Sequence, residues 1–114
     1  MPNFSIIFFK NSRGDEVVKE FIRKQDKDSV AKISRLIDLV GEHGPLLTMP
    51  YARSMGDGLH ELRIRGRNEI RIFYICQVPG NIVVVLHAFK KRTQQTPVKE
   101  LKIAKQRHKD WTEI

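Results

Sequence analysis

A chain of 114 residues, 40% apolar and 30% charged, is sized for one domain (1–114) that buries a core without metal or disulfide support. Its lone cysteine, Cys76, excludes an internal disulfide and a cysteine metal cluster, and points to a reducing compartment. No segment reaches the roughly 18 apolar residues of a membrane span. Met1-Pro2-Asn3-Phe4-Ser5 also lacks the basic start and apolar run of a signal peptide. A cytoplasmic protein with no membrane partner is therefore expected.

The net charge of +8 is unevenly placed. Residues 1–60 carry nine Lys/Arg against eight Asp/Glu, whereas residues 61–110 carry twelve against four. Such asymmetry favours nucleic acid or an acidic protein as partner, although a basic chain can also simply present a solvated face.

In chain order, Phe4–Phe9 is a β-branched and aromatic run that predicts a first strand. Ser12 is placed to cap a helix, with Asp15 completing a short capping box and Val17, Val18, Phe21 and Ile22 on one face. Asp26 or Asp28 caps a second helix carrying Val30, Ile33, Leu36, Ile37 and Val40, which Gly41 and Gly44-Pro45 end. Pro45, Pro50, Gly56 and Gly58 make residues 44–58 a long connection with no regular element. Three strands follow, Leu59–Ile64, Ile70–Val78 and Ile82–Phe89, joined by turns at Arg65-Gly66-Arg67-Asn68 and Pro79-Gly80-Asn81. Thr96-Pro97 predicts a last helix with a hydroxyl cap and proline at its first position. Val98, Leu101, Ala104, His108 and Trp111 share its stripe. The expected fold is α+β, in the order β-α-α-β-β-β-α, a mainly antiparallel sheet with the helices packed on one side.

Cations inside strands are the chemical feature of this chain. Arg63 and Arg71 interrupt apolar strand patterns, so each must face an open side of the sheet or carry a partner. No phosphate-binding glycine loop, His-x-Glu-x-x-His or cysteine pair is present, and the basic half holds only Glu61, Glu69, Glu100 and Asp110 as carboxylates. Metal-dependent cleavage thus has little support, and no cofactor is expected. Metal-free RNA cleavage needs less: the ribose 2′-OH is the nucleophile, and the protein moves protons and stabilises charge on phosphorus. A guanidinium fork on a rigid strand suits the second task. Arg71 is the first choice and Arg63 the second. Lys90 or Lys91, each beside other cations, is a candidate proton carrier. His87 is the strand imidazole among these groups, and Tyr74 is placed to orient a phosphate or stack on a base. Arg65, Arg67, Arg92, Lys99 and Lys102 would widen the phosphate-binding face.

Plainer readings stand beside these. His87 fits equally a half-buried histidine bonded to backbone, Tyr74 a core ring, and Glu61–Arg63 an ordinary ion pair. Lys90-Lys91-Arg92 fits a solvated strand end, Trp111 a helix anchor, and Cys76 a small core hydrophobe.

Three segments together carry a resemblance: Gly56-Asp57-Gly58-Leu59-His60-Glu61-Leu62-Arg63, then Arg71-Ile72-Phe73-Tyr74, then Leu86-His87-Ala88-Phe89-Lys90-Lys91-Arg92-Thr93-Gln94-Gln95-Thr96-Pro97. They resemble the RelE/HigB superfamily of type II toxin–antitoxin toxins, in its phage-derived, HigB-like branch. The resemblance implies a small sheet with helices on one side and a metal-independent mRNA endoribonuclease acting in the ribosomal A site against small-subunit rRNA. It implies a 2′,3′-cyclic phosphate product and a helix-turn-helix antitoxin, with operator DNA bound only through the complex. By position it assigns Arg63, Arg71, Lys90 and Lys91 to the site. Arg53 falls where relatives usually carry a lysine, and the C-terminal tyrosine of some relatives has only Trp111 nearby. The competing class is a non-catalytic basic protein that docks on nucleic acid or on an acidic antitoxin.

Overall fold

The computed structural model describes residues 3–77, 79–92 and 96–113. The chain forms β1 (Ser5–Phe8), α1 (Val17–Arg23), α2 (Lys27–His43), a 3-10 turn (Gly44–Leu46), β2 (Ala52–Gly56), β3 (Leu59–Ile64), β4 (Ile70–Gln77), β5 (Ile82–Lys90) and α3 (Val98–Thr112). The strands make one sheet in the order β1-β5-β4-β3-β2. All neighbours are antiparallel except β1, which runs parallel to β5. The expected α+β class is the observed one. Val78, expected to end β4, and Thr93-Gln94-Gln95 lie outside the described residues.

Two expectations about the fold are corrected. First, the 44–58 connection contains a strand. β2 pairs with β3 through Ala52↔Leu62, Arg53↔Glu61 and Ser54↔His60, with a bulge before Gly56↔Leu59. The hairpin loop is Asp57-Gly58, both at positive φ (54° and 80°). Asp-Gly is a preferred pair for a two-residue hairpin, so the sequence did carry a signal for β2. Second, the helices do not share one side. Val18, Ile33 and Val40 from α1 and α2 pack with Leu62, Ile64, Ile70, Ile72, Tyr74, Val83 and Val85. Ala104, Leu101 and Trp111 of α3 pack on the opposite face with Phe9, Leu59, Phe73, Ile75, Val84, Leu86 and Phe89. β4 is consequently buried on both faces, which explains its nearly unbroken apolar run.

The helix starts differ in detail. Asp26 caps α2, accepting from Ser29 N–H (3.3 Å) and from Ser29 Oγ (2.6 Å). Gly41 lies inside α2, and Gly44 ends it. Ser12 does not cap α1. Asn11 Oδ1 accepts from the N–H groups of Arg13 (3.0 Å) and Asp15 (2.9 Å), and this side-chain turn delays the helix to Val17. Thr96 does not cap α3 either: Pro97 is its N-cap residue, and the Thr96 hydroxyl is used elsewhere.

Candidate functional site

Because side chains alternate along a strand, register decides which cations meet. Arg63 on β3 stands directly opposite Arg71 on β4, and Arg53 on β2 directly opposite Glu61 on β3. Arg53, Glu61, Arg63 and Arg71 thus share one face, the face that carries α3. That helix contacts β5 and β4. The β2–β3 side of the same face holds the cations.

Glu61 organises them. It has no solvent exposure, yet it lies in the most basic part of the chain. Arg53 Nε donates to its Oε1 at 2.9 Å, Thr96 Oγ1 donates to its Oε2 at 2.8 Å, and Arg71 Nε lies 3.8 Å from Oε1. Arg53 Nη2 also donates to Thr96 Oγ1 at 3.3 Å, which closes a ring of Arg53, Glu61 and Thr96. The anticipated Glu61–Arg63 pair is replaced by this one because Arg53 and not Arg63 is the cross-strand partner of Glu61.

Arg71 is 2% exposed, with Nη1 donating to Glu69 Oε2 at 2.8 Å and to the Ile70 carbonyl at 3.3 Å. It is a buried guanidinium on the same face as Arg63. Arg63 is half-buried and nearer solvent, its Nη1 3.4 Å from Met49 Sδ. Among the described residues the Nε of each arginine lacks a hydrogen-bond partner. Burial, then the charges of Arg65, Arg71 and Arg53, hold the Arg63 guanidinium below its ordinary pKa. Lys91 belongs to the same field. Burial and then Arg71 lower its ammonium pKa, with Arg63 and Arg53 adding to the effect and Glu61 opposing it.

Lys90 separates from Lys91. It is exposed and in register with Ile70, on the α1/α2 face. Both lysines, with Arg67, Asn68, Glu69 and Arg92, line a hollow of about 340 Å³ at the end of the sheet. Arg67 and Arg92 are exposed there, Arg65 is exposed in the β3–β4 turn beside a neighbouring hollow, and Lys99 and Lys102 are exposed on α3.

Two expected site residues lie elsewhere. Tyr74 is 1% exposed and packs in the α1/α2 core, stacked on His60 at 5.2 Å. Register puts it on the face opposite Phe73, and burial raises its phenol pKa above the ordinary value. His87 is held under α3. Its Nε2 lies 2.7 Å from Glu100 Oε1, and its Nδ1 lies 3.3 Å from Arg107 Nη1. A carboxylate accepts and a guanidinium donates, so these partners fix a neutral ring with its proton on Nε2. Burial lowers the His87 pKa, which favours the same form. Arg107 also donates to the Leu86 carbonyl at 2.8 Å and covers the Phe9 ring. This trio anchors the helix together with Trp111, which, as expected from the sequence, packs on the same face and donates from Nε1 to Gln77 Oε1 at 3.3 Å.

Among the described residues no three His, Cys, Asp or Glu side chains converge as metal ligands. None of the described helices is long and apolar enough to cross a membrane. What remains is a strip of guanidinium and ammonium groups on a stiff sheet, neutralised at one point by a buried carboxylate. The family model for phage-derived Gp49-like proteins (DUF891) matches residues 20–109.

The chain belongs to the Gp49-like family. This is a RelE/HigB-like toxin family, associated with toxin–antitoxin systems, and it implies an antitoxin partner. Comparison with curated proteins gives no match. The matched region spans the sheet from β2 to β5 and every cation placed in the strip, so the family match and the site concern the same part of the Gp49-like fold.

Proposed function

We propose that this Gp49-like protein is the toxin of a HigB-like module and cleaves mRNA on the ribosome, without metal, through the ribose 2′-OH. The observation that carries this reading is the direct opposition of Arg63 and Arg71 on one face, with Arg53 and Lys91 in the same electrostatic field. Like charges directly across a sheet destabilise it, and because Glu69 and Glu61 sit on Arg71 and Arg53, Arg63 gains most from a further anion. A phosphodiester supplies one, and it gains charge in the transition state, where preorganised cations act most strongly.

In this reading Arg63 contacts the phosphate and Arg71 acts from behind it. The order of the two candidates is reversed because Arg71 is committed to Glu69. The 2′-hydroxyl gives its proton to solvent water as its oxygen attacks phosphorus, the bond to the 5′-oxygen breaks, and a 2′,3′-cyclic phosphate and a 5′-hydroxyl result. Lys91 donates the proton to the leaving 5′-oxygen, since its lowered pKa eases proton transfer. His87 takes no part, because both ring nitrogens are engaged. Arg65, Arg67 and Arg92 steer the RNA, and Lys99 and Lys102 extend the field along α3. The antitoxin is a helix-turn-helix protein that joins toxin to operator DNA.

The test is incubation of purified protein with programmed ribosomes and mapping of new mRNA 5′ ends. Wild type is expected to produce cuts carrying 5′-hydroxyl groups, and Arg63→Gln to reduce them by about 100-fold or more. Wild-type protein that binds ribosomes and leaves mRNA intact would overturn the enzyme in favour of a basic docking protein.

A further inference from the structure

The last β2–β3 pair, Ala52↔Leu62, sets Tyr51 beside Arg63. Arg63 N–H donates to the Tyr51 carbonyl at 2.8 Å, which holds the Tyr51 backbone next to Arg63 just outside β2. Joined to Arg63↔Arg71 and Arg71↔Phe89, this gives one line across the sheet: Tyr51, Arg63, Arg71, Phe89. Phe89 is buried under α3 at one end. Tyr51 at the other end is 44% exposed and belongs to neither apolar core. Adjacent strands lie about 4.8 Å apart, so Tyr51 stands about 10 Å from Arg71 with Arg63 between them. Met49, 53% exposed, borders the same place through its sulfur contact with Arg63. The backbone here is tied down, since both Tyr51 N–H and Ala52 N–H donate to the Thr48 carbonyl.

An exposed ring on a fixed backbone, next in line to two guanidiniums, has the composition of a single-strand RNA site. Cations hold the phosphate, and an aromatic face takes the base. We propose that Tyr51 is the nucleobase-stacking residue of this protein, with Met49 as its rim, for the nucleotide whose phosphate lies on Arg63. The proposal rests on the reading of the cationic strip as an RNA-phosphate site and adds to it the place where the base goes. Stacking needs the ring and not the hydroxyl, so phenylalanine should substitute and alanine should not.

The experiment measures binding of the full chain to two short oligoribonucleotides of equal charge, each 2′-O-methylated to block cleavage. One carries bases, with 2-aminopurine as a stacking reporter, and the other is abasic. Wild type should bind the base-containing strand more tightly and quench its fluorescence. Tyr51→Ala should weaken that binding about 5- to 100-fold and abolish the quench. It should leave abasic binding and the salt slope unchanged. Tyr51→Phe should stay within about twofold of wild type on both strands. Wild-type binding by Tyr51→Ala, or equal losses on both strands, would overturn the stacking role while leaving the phosphate strip standing. Failure of wild type to bind either strand would overturn the strip as an RNA site, and the stacking role with it.

Discussion

Arg63 and Arg71 face each other directly across β3 and β4, with Glu61 two residues along β3 on the same face bonded to Arg53. The carboxylate neutralises the Arg53 side of the strip more directly than it does Arg63. Among the described residues Arg53 and Arg71 each pair with a carboxylate and Arg63 does not; burial first, and then the neighbouring arginines, lower its pKa. Replacing it should relieve repulsion. We expect Arg63→Gln to raise unfolding free energy by about 0.5 kcal/mol while cleavage falls. Urea unfolding of the variant beside its cleavage assay checks this trade. A loss of stability by more than 1 kcal/mol would show that the aliphatic stem, and not the charge, dominates the position.

Glu61 should behave in the opposite way. Truncating a fully buried carboxylate leaves Arg71 buried with, among the described residues, only Glu69 as an ionic partner. Glu61→Ala is expected to cost about 3–5 kcal/mol, as for the breaking of a buried ion pair. The double variant Glu61→Leu/Arg71→Leu should recover most of that loss, because no charge is then stranded. If the double variant is as unstable as the single, the Glu61 carboxylate is needed for Thr96 and the start of α3 rather than as a counter-charge.

The pH dependence of stability should carry a contribution from His87. Its folded pKa lies below the ordinary 6.5, because burial disfavours the charged ring. The unfolded chain then takes up the proton first as pH falls, so the stability contributed is complete above pH 6.5 and is lost on descending through the folded pKa. His60 is shifted in the same direction by burial and adds to the same window. Denaturation midpoints between pH 8 and pH 5 should fall for wild type and fall less for His87→Gln. An identical slope in the two proteins would assign the window to His60.

Gly44 closes α2 with φ at +55°, and a Cβ there would overlap the Phe4 ring. Phe4 packs on the α1/α2 core and belongs to the segment that leads into β1. Gly44→Ala is therefore expected to cost about 2–3 kcal/mol, from overpacking added to backbone strain. Thermal unfolding reads it directly, and a second change of Phe4→Leu should return part of the loss.

The parts of this fold legible in sequence are those governed by local periodicity. The α2 stripe and the β3, β4 and β5 runs are found within a residue or two of their places. β2 escaped because an edge strand reading Arg53-Ser54-Met55 between prolines and glycines has almost no apolar alternation, and only Asp57-Gly58 betrays it. The sidedness of α3 escaped for another reason. β4 is apolar on both faces, so its sequence does not say which face a later helix covers. At the site, sequence identified the cations and register assembled them. It could not show that Arg71 is buried, that Thr96 bonds to Glu61, or that Tyr51 rather than Tyr74 is the exposed ring. Those depend on pairings between residues 8 to 35 positions apart.

Register also separates Lys90 from Lys91, which adjacency in sequence would treat as one patch. Lys91 shares the field of Arg71, Arg63 and Arg53, whereas Lys90 projects on the α1/α2 face. Each phosphate contact with single-stranded RNA contributes about 0.7 to the slope of log affinity against log salt. Lys91→Ala should flatten that slope by about 0.7 and slow cleavage at saturating ribosomes, as loss of a proton donor would. Lys90→Ala should leave the cleavage rate at saturation unchanged and alter the slope by less. Titrations of the 2′-O-methylated strand between 50 and 200 mM salt, with single-turnover cleavage beside them, would distinguish the two lysines. Equal effects of the two variants on the cleavage rate would mean that the hollow they both line, rather than the Arg63–Arg71 strip, holds the scissile phosphate.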